Sequence, residues 1–223
     1  MHQQTSKKIL IYFFLFTIFV TLNNKNLTKL EFLKIEKINI YGIDTKNKLD
    51  LIKKLDFFKF QNILFLDEIR INEIVSSNPF VEKFSILKKY PSELEIKINQ
   101  TKFLAYVQRK DGLFFLGSNQ KLILADSARE NIPYMFGNFD NKQFFILKDI
   151  IDSSNFNYAQ IKNLYFFPSR RWDIEMHSGL LIRLPKDKLK KSLELSAKII
   201  SDDKLRKIKM IDLRQNSQVI INE

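Results

Sequence analysis

Cysteine is missing from all 223 residues, so disulfides and thiolate chemistry are excluded. The absence suits an oxidising and a reducing compartment equally and does not localise the protein. Histidine occurs only twice, at His2 and His177, which leaves no ligand spacing for a metal and few candidates for a general base. Glycine, at five, is too sparse for nucleotide loops: there is no Gly-x-Gly-x-x-Gly, no Gly-Lys-Ser/Thr and no Gly-x-Ser-x-Gly elbow. Carboxylate pairing is invisible at this level and stays open. The expectation is a protein without catalytic activity, cofactor or metal.

Positive charge, in contrast, is plentiful, with a formal net charge of +12. It is spread along the chain, with lysine far in excess of arginine, and Ile, Asn and Phe are abundant as well. Such a pattern reads as a compositional bias that yields a solvated surface. An RNA-binding aromatic signature, zinc-finger spacing and a basic heptad helix are all missing, so nucleic acid is not an expected partner.

The most informative segment is Ile9 to Leu22, fourteen residues without a charge, entered from Lys7 and Lys8. As a helix it rises about 21 Å, against about 30 Å for the hydrocarbon core. The run suits a signal peptide or a single anchor. No small-x-small cleavage site follows in Asn23 to Lys29, and Phe13, Phe14, Phe16 and Phe19 add bulk, which favours a retained anchor. Ile9, Phe13, Phe16, Phe19 and Leu22 are its expected lipid-facing residues, with Lys7, Lys8 and Lys25 snorkelling. Lys25, Lys29, Lys34 and Lys37 after the run outnumber the lysines before it, yet long domains translocate largely regardless of charge. The expected orientation is N-terminus inside, remainder outside.

Beyond the anchor two textures follow. Ile38 and Ile40 alternate with polar neighbours up to Gly42, the period of a strand. Residues 46–58 place Leu51, Leu55 and Phe58 on one helical face, and Asp67 is positioned to cap a second helix carrying Ile71, Ile74 and Val75. Residues 80–90 and 92–100 read as extended, the latter with Leu94, Ile96 and Ile98 on one side and Glu93, Glu95 and Lys97 on the other. Strand–helix–helix–strand–strand is an α+β unit. The second texture has a hairpin about Lys110-Asp111-Gly112, a strand at 120–124, a loop about Ile132, Pro133 and Gly137, and a helix over 141–153. Strands at 161–167, 172–177 and 180–184, a helix from an Asp187 cap to Ile200, and terminal strands at 208–214 and 218–221 complete it.

The markers Ile38-Asn-Ile-Tyr-Gly42, Asn62-Ile-Leu-Phe-Leu-Asp67, Asn78-Pro-Phe-Val81 and Tyr90-Pro-Ser-Glu-Leu-Glu-Ile96 resemble those of a POTRA domain. With Phe103 to Val107, Asp111-Gly112, Trp172, Gly179 and Ile211-Asp-Leu-Arg214, nearly the whole chain is similar to the bacterial cell-division family FtsQ/DivIB. The resemblance implies a stub at 1–8, a transmembrane anchor at 9–26, a linker at 27–34, a POTRA domain at 35–102 and a β domain at 103–223 with a mostly antiparallel sheet and two or three helices. It implies a non-catalytic divisome scaffold in the cell inner membrane, N-terminus cytoplasmic and C-terminal domain periplasmic, concentrated at the septum. Its implied partners are FtsB- and FtsL-like proteins that add a strand at the C-terminal edge, and other divisome components through the POTRA domain. The alternative is a POTRA-containing transport or outer-membrane assembly factor, which would need a run of barrel strands; a periplasmic enzyme or ligand binder is a third reading.

Carried over residue by residue, Arg170, Arg171, Asp212, Leu213, Arg214, Gln215, Asn216, Val219 and Ile220 are the implied partner-binding positions. Gln215 stands where the family often has Tyr. Taken alone, Arg214 reads rather as an exposed arginine covering apolar surface with its stem, and only the resemblance brings the partner-binding reading level with it. Trp172, alternating with Ile174 and Met176, reads as core, and His177 as a solvated turn residue.

Overall fold

The computed structural model describes residues 2–22, 33–126, 131–202, 208–215 and 218–222. Of the expected segments, 23–32 and Asn216 lie outside them, as does the side chain of Leu22. The chain forms two compact units, residues 1–100 and 101–223.

The first unit opens with α1 (His2–Leu22). Its apolar residues point all round rather than along one stripe, and Ile9, Phe13, Phe16 and Phe19 are exposed. Thr17 and Thr21 donate their hydroxyls back to the carbonyls of Phe14 and Thr17, so the helix leaves these groups satisfied. Among the described residues no helix is long and apolar enough to cross a membrane. The expected span over 9–26 is therefore not found: the uncharged run stops at fourteen residues, and residues 23–26 lie outside the described ones.

Three strands follow α1: β1 (Lys37–Tyr41), β2 (Val81–Lys89) and β3 (Glu93–Gln100), in the order β1-β3-β2, with β1 parallel and β2 antiparallel to β3. Between β1 and β2 lie α2 (Thr45–Leu55) and α3 (Glu68–Ser77), separated by 3-10 turns at 56–58 and 63–65. Asp44 and Asp67 accept the amides of Asn47 and Arg70 and so start the two helices. Leu51 and Leu55 from the first, Phe58 from the 3-10 turn after it, and Ile71 and Val75 from the second pack with Ile38, Ile40, Leu94, Ile96 and Ile98. Apolar residues at helical spacing thus meet apolar residues at strand spacing in one core.

The second unit is a nine-stranded sheet in the order β12-β11-β10-β9-β8-β7-β4-β5-β6. Its strands are β4 (Phe103–Arg109), β5 (Gly112–Gly117), β6 (Leu122–Leu124), β7 (Tyr134–Phe136), β8 (Ile161–Phe166), β9 (Trp172–Met176), β10 (Leu181–Arg183), β11 (Met210–Asp212) and β12 (Ile220–Asn222). Most pairings are antiparallel; β4–β7, β7–β8 and β10–β11 are parallel. The segment about residues 132–137, expected as a loop, supplies β7 in the middle of the sheet. Three residues between Pro133 and Gly137 are too few for a period to register. Gly137, at φ +108, lies so close to the Phe166 carbonyl that a Cβ would collide with it.

Two helices, α4 (Asn141–Asp152) and α5 (Leu189–Ile200), cover one face of this sheet. Phe144, Leu147 and Ile151 of α4 and Leu193 of α5 pack against Ile174, Met176, Ile182 and Ile211. Trp172 is buried there with Phe166 and Phe139, ring centroids 4.8 and 5.9 Å away. Asp140 starts α4 with a reciprocal capping box to Gln143. The Asp187 cap expected for α5 is absent. The cap is Lys188, in the left-handed conformation at φ 60 and without a side-chain bond.

Candidate functional site

The last strand, β12, forms one border of the nine-stranded sheet. It pairs with β11 on one side, Ile220 opposite Asp212 and Ile221 opposite Ile211, and its other side has no strand partner among the described residues. All three of its residues are exposed, Ile220 at 45% and Ile221 at 40%. An apolar strand exposed on both faces at a border leaves a row of main-chain donors and acceptors open.

Two different surfaces flank that border. Alternation along β11 sends Ile211 and Leu213 toward the helices and Asp212 and Arg214 to the opposite, helix-free face. On the helix side a groove of about 390 Å³ runs between α5 and the border, lined by Lys188, Lys191, Leu195, Leu213, Gln215 and Val219. Its lining mixes aliphatic side chains with polar ones and two lysines.

On the helix-free face a row of alternating charges crosses β9, β10 and β11. Arg171 Nε lies 3.6 Å from Asp173 Oδ1, Arg183 Nε 3.9 Å from Asp173 Oδ2, and Arg183 Nη1 3.8 Å from Asp212 Oδ2. Strand register causes this: Arg183 is opposite Asp173 on one neighbour and Asp212 on the other. Arg214 closes the row with a fork onto Asp212, Nε at 2.8 and 2.9 Å and Nη2 at 2.5 Å. Asp212 also accepts the Arg214 amide at 3.1 Å, which turns the chain out of β11.

The two carboxylates differ in state. The hydrogen bonds of Arg214 hold Asp212 below the ordinary carboxylate range. Burial pushes Asp173 up, against the pull of Arg171, Arg183 and Arg214. Arg171 Nε and Asp173 Oδ1 are buried without a hydrogen bond, so their ion pair is long and incompletely compensated. The Arg171 guanidinium also stacks on Phe167 at 4.5 Å.

Of the positions singled out from sequence, Arg171, Asp212 and Arg214 come together on this face. Leu213, Gln215 and Val219 line the groove on the other, and Ile220 is on the border strand. Arg170 stands apart in the turn after β8, at φ 61, its amide donating to the Phe167 carbonyl. Asp173, Arg183, Lys188, Lys191 and Leu195 were not singled out. The turn at Ser178-Gly179 would have set Asp173 against Arg183, whereas the parallel pairing of β10 with β11 and the approach of α5 had no local signal. His177 is exposed and borders a small pocket near the end of β9. Among the described residues no group of His, Asp or Glu is placed to hold a metal ion.

A family model described as "Cell division protein FtsQ/DivIB, C-terminal" matches residues 105–214. The cell division protein FtsQ of Bradyrhizobium diazoefficiens is 24% identical over 168 residues, covering 72% of this chain and 48% of that protein. The cell division protein DivIB of Clostridium botulinum is 24% identical over 234 residues, covering 93% of this chain and 86% of that protein. A solved structure, the major extracytoplasmic domain of the trans isomer of DivIB from Geobacillus stearothermophilus, aligns at a TM-score of 0.33 and 16% identity over 42% of this chain and 85% of that one, too loosely to carry an argument. The chain spans 48% to 62% of the length of the first curated relatives it matches. Through residues 105–214, which carry the charge row and stop short of the border strand, this chain belongs to the FtsQ/DivIB family of cell division proteins.

Proposed function

We propose that the protein is a non-catalytic divisome scaffold that binds FtsB- and FtsL-like partners by strand addition along β12. The open border of β12 is the observation that carries this reading. A partner segment laid beside Ile220–Asn222 would complete the main-chain ladder, with its alternate side chains falling into the groove beside α5 and onto the charge row. The arginines of the row and the lysines of the groove favour an acidic, partly apolar segment. Residues 35–102 act as a POTRA domain through which other divisome components recruit the protein.

The same reading places α1 in the inner membrane, N-terminus cytoplasmic and the two units periplasmic, with the protein concentrated at the septum. Its all-round apolar surface and back-bonded threonines support burial in lipid. Because the uncharged run reaches only about 21 Å, burial draws Lys7 and Lys8 toward the headgroups and thins the bilayer locally.

Proline tests the border directly. Adjacent residues of a strand point their N–H groups in opposite directions, so one of Val219→Pro and Ile220→Pro removes an outward donor. Binding of an FtsB-like periplasmic peptide should fall at least about tenfold in that variant, the loss of one to two ladder bonds. Unchanged binding by both folded variants rejects strand addition.

A further inference from the structure

The three-stranded sheet of the first unit has two unlike ends. At one, the chain arriving from residues 23–32 is fastened to the segment between α2 and α3: the Phe60 amide donates to the Ile35 carbonyl and the Ile35 amide to the Gln61 carbonyl, both at 2.9 Å. The Glu36 amide donates to the Ser92 carbonyl at 2.8 Å, so the start of β1, the end of β2 and the start of β3 share this end. Lys88 and Glu68, 2.7 Å apart, bring the first turn of α3 to it. Arg70 lies over the Phe57 ring at 4.2 Å, folding the segment 57–70 back on itself. At the opposite end β3 runs out through Gln100.

The incoming end exposes Phe57, Phe60, Leu64, Phe65, Ile69 and Tyr90, Phe60 at 74% and Tyr90 at 60%, whereas the outgoing end exposes Tyr41. A cluster of exposed aromatic and aliphatic side chains on one end is more apolar surface than solvation alone accounts for. Ten residues, 23–32, separate this end from α1, a reach of at most about 35 Å even when fully extended. With α1 in the bilayer, the incoming end cannot leave the neighbourhood of the lipid surface.

We propose that this end docks on the bilayer interface around α1, with the rings of Phe57, Phe60, Phe65 and Tyr90 and the side chain of Ile69 among the headgroups. Aromatic rings partition to that depth, where an apolar body and a polar tip are both accommodated. Four lysines here are already engaged: Lys37 with Glu93 at 3.7 Å, Lys59 with Asp56 at 2.8 Å, Lys88 with Glu68, and Lys89 with Glu95. Docking is therefore driven by apolar insertion and is insensitive to salt. The inference rests on the placement of α1 in the membrane proposed above.

The absence of cysteine makes the test direct, since one introduced thiol labels one site. Full-length Phe14→Cys, Phe60→Cys, Tyr90→Cys and Lys83→Cys proteins, each carrying a polarity-sensitive fluorophore, are reconstituted in vesicles of phosphatidylethanolamine and phosphatidylglycerol. Quenching by lipid spin-labelled near the headgroup, and for the label at 14 by lipid spin-labelled in mid-chain, is then measured. Lys83 is exposed near the start of β2, at the outgoing end, and serves as the reference. Labels at 60 and 90 should be quenched at least about twice as strongly as at 83, undiminished in high salt. Quenching at 14 but not at 60 or 90 overturns the docking and leaves α1 in the membrane. No quenching at 14 overturns both. Shielding of 60 and 90 from water without lipid quenching identifies a protein occupant and likewise overturns the docking.

Discussion

The two halves of the helix-free face of the nine-stranded sheet are made from the same kind of strand and end with different chemistry. Across β5, β4, β7 and β8 the face is aromatic: Phe103 stacks on Phe115 at 4.5 Å, Tyr106 on Tyr134 at 4.5 Å, and Phe136 on Tyr165 at 5.3 Å. Across β9, β10 and β11 it is ionic, from Arg171 and Asp173 to Arg183, Asp212 and Arg214. The seam is Tyr165, whose hydroxyl donates to Glu175 at 2.7 Å alongside Asn163 at 2.9 Å. Stability alone gives no reason for the ionic half, since replacing such ion pairs by well-packed apolar residues is often neutral or stabilising. The ionic half is the half beside the open border strand, where, under the proposed strand addition, complementarity to a partner segment would count for more than packing.

The largest effect should come from removing what both halves share. Trp172→Ala deletes a buried indole under Phe166 and Phe139 and should cost about 3–5 kcal/mol in denaturant unfolding. Next, Asp212→Ala strands Arg214 and Arg183 and should cost about 2–3 kcal/mol, whereas Tyr134→Ala, at a solvent-exposed ring in the middle of the aromatic half, should cost about 1 kcal/mol. Equal losses would erase the distinction between the halves.

Acid titration sharpens it further. Asp212 has its folded pKa lowered, so its contribution is present above the unfolded value near 3.8 and is lost as pH falls through the folded value. Asp173 has its folded pKa raised, so its ionised form costs stability at neutral pH and that cost is relieved as pH falls through the folded value toward 3.8. Thermal unfolding followed against pH should show Asp173→Asn losing the early relief and Asp212→Asn losing the later decline. Identical profiles for the two variants would contradict the opposite assignments. The smallest effect belongs to the seam: Lys162→Ala, which removes an exposed partner 3.4 Å from Glu175, should change stability by at most about 0.5 kcal/mol.

Legibility in the sequence tracked periodicity. Leu94, Ile96 and Ile98, and Phe144, Leu147 and Ile151, each repeat long enough for the strand or helix period to show, and each set is buried as expected. Glu95, expected on the solvent side of its strand, is buried and held by Lys89 and Lys97. Strand β7 was missed because three residues carry no period and its two parallel neighbours are remote in sequence. The charge row was half legible: Asp212 and Arg214 are two residues apart, but Arg183 reaches Asp212 only after the excursion through α5. The left-handed Lys188 has no signature, since its side chain makes no cap bond and lysine has no preference for that conformation.

Amide hydrogen exchange at Ile220–Asn222, with and without an FtsB-like peptide, addresses strand addition most directly. An added strand should slow exchange at the outward-facing amides of β12 by at least about tenfold, the loss of local opening once a second ladder forms. A bound peptide that leaves β12 exchanging freely while protecting residues elsewhere would contradict partner docking at this border.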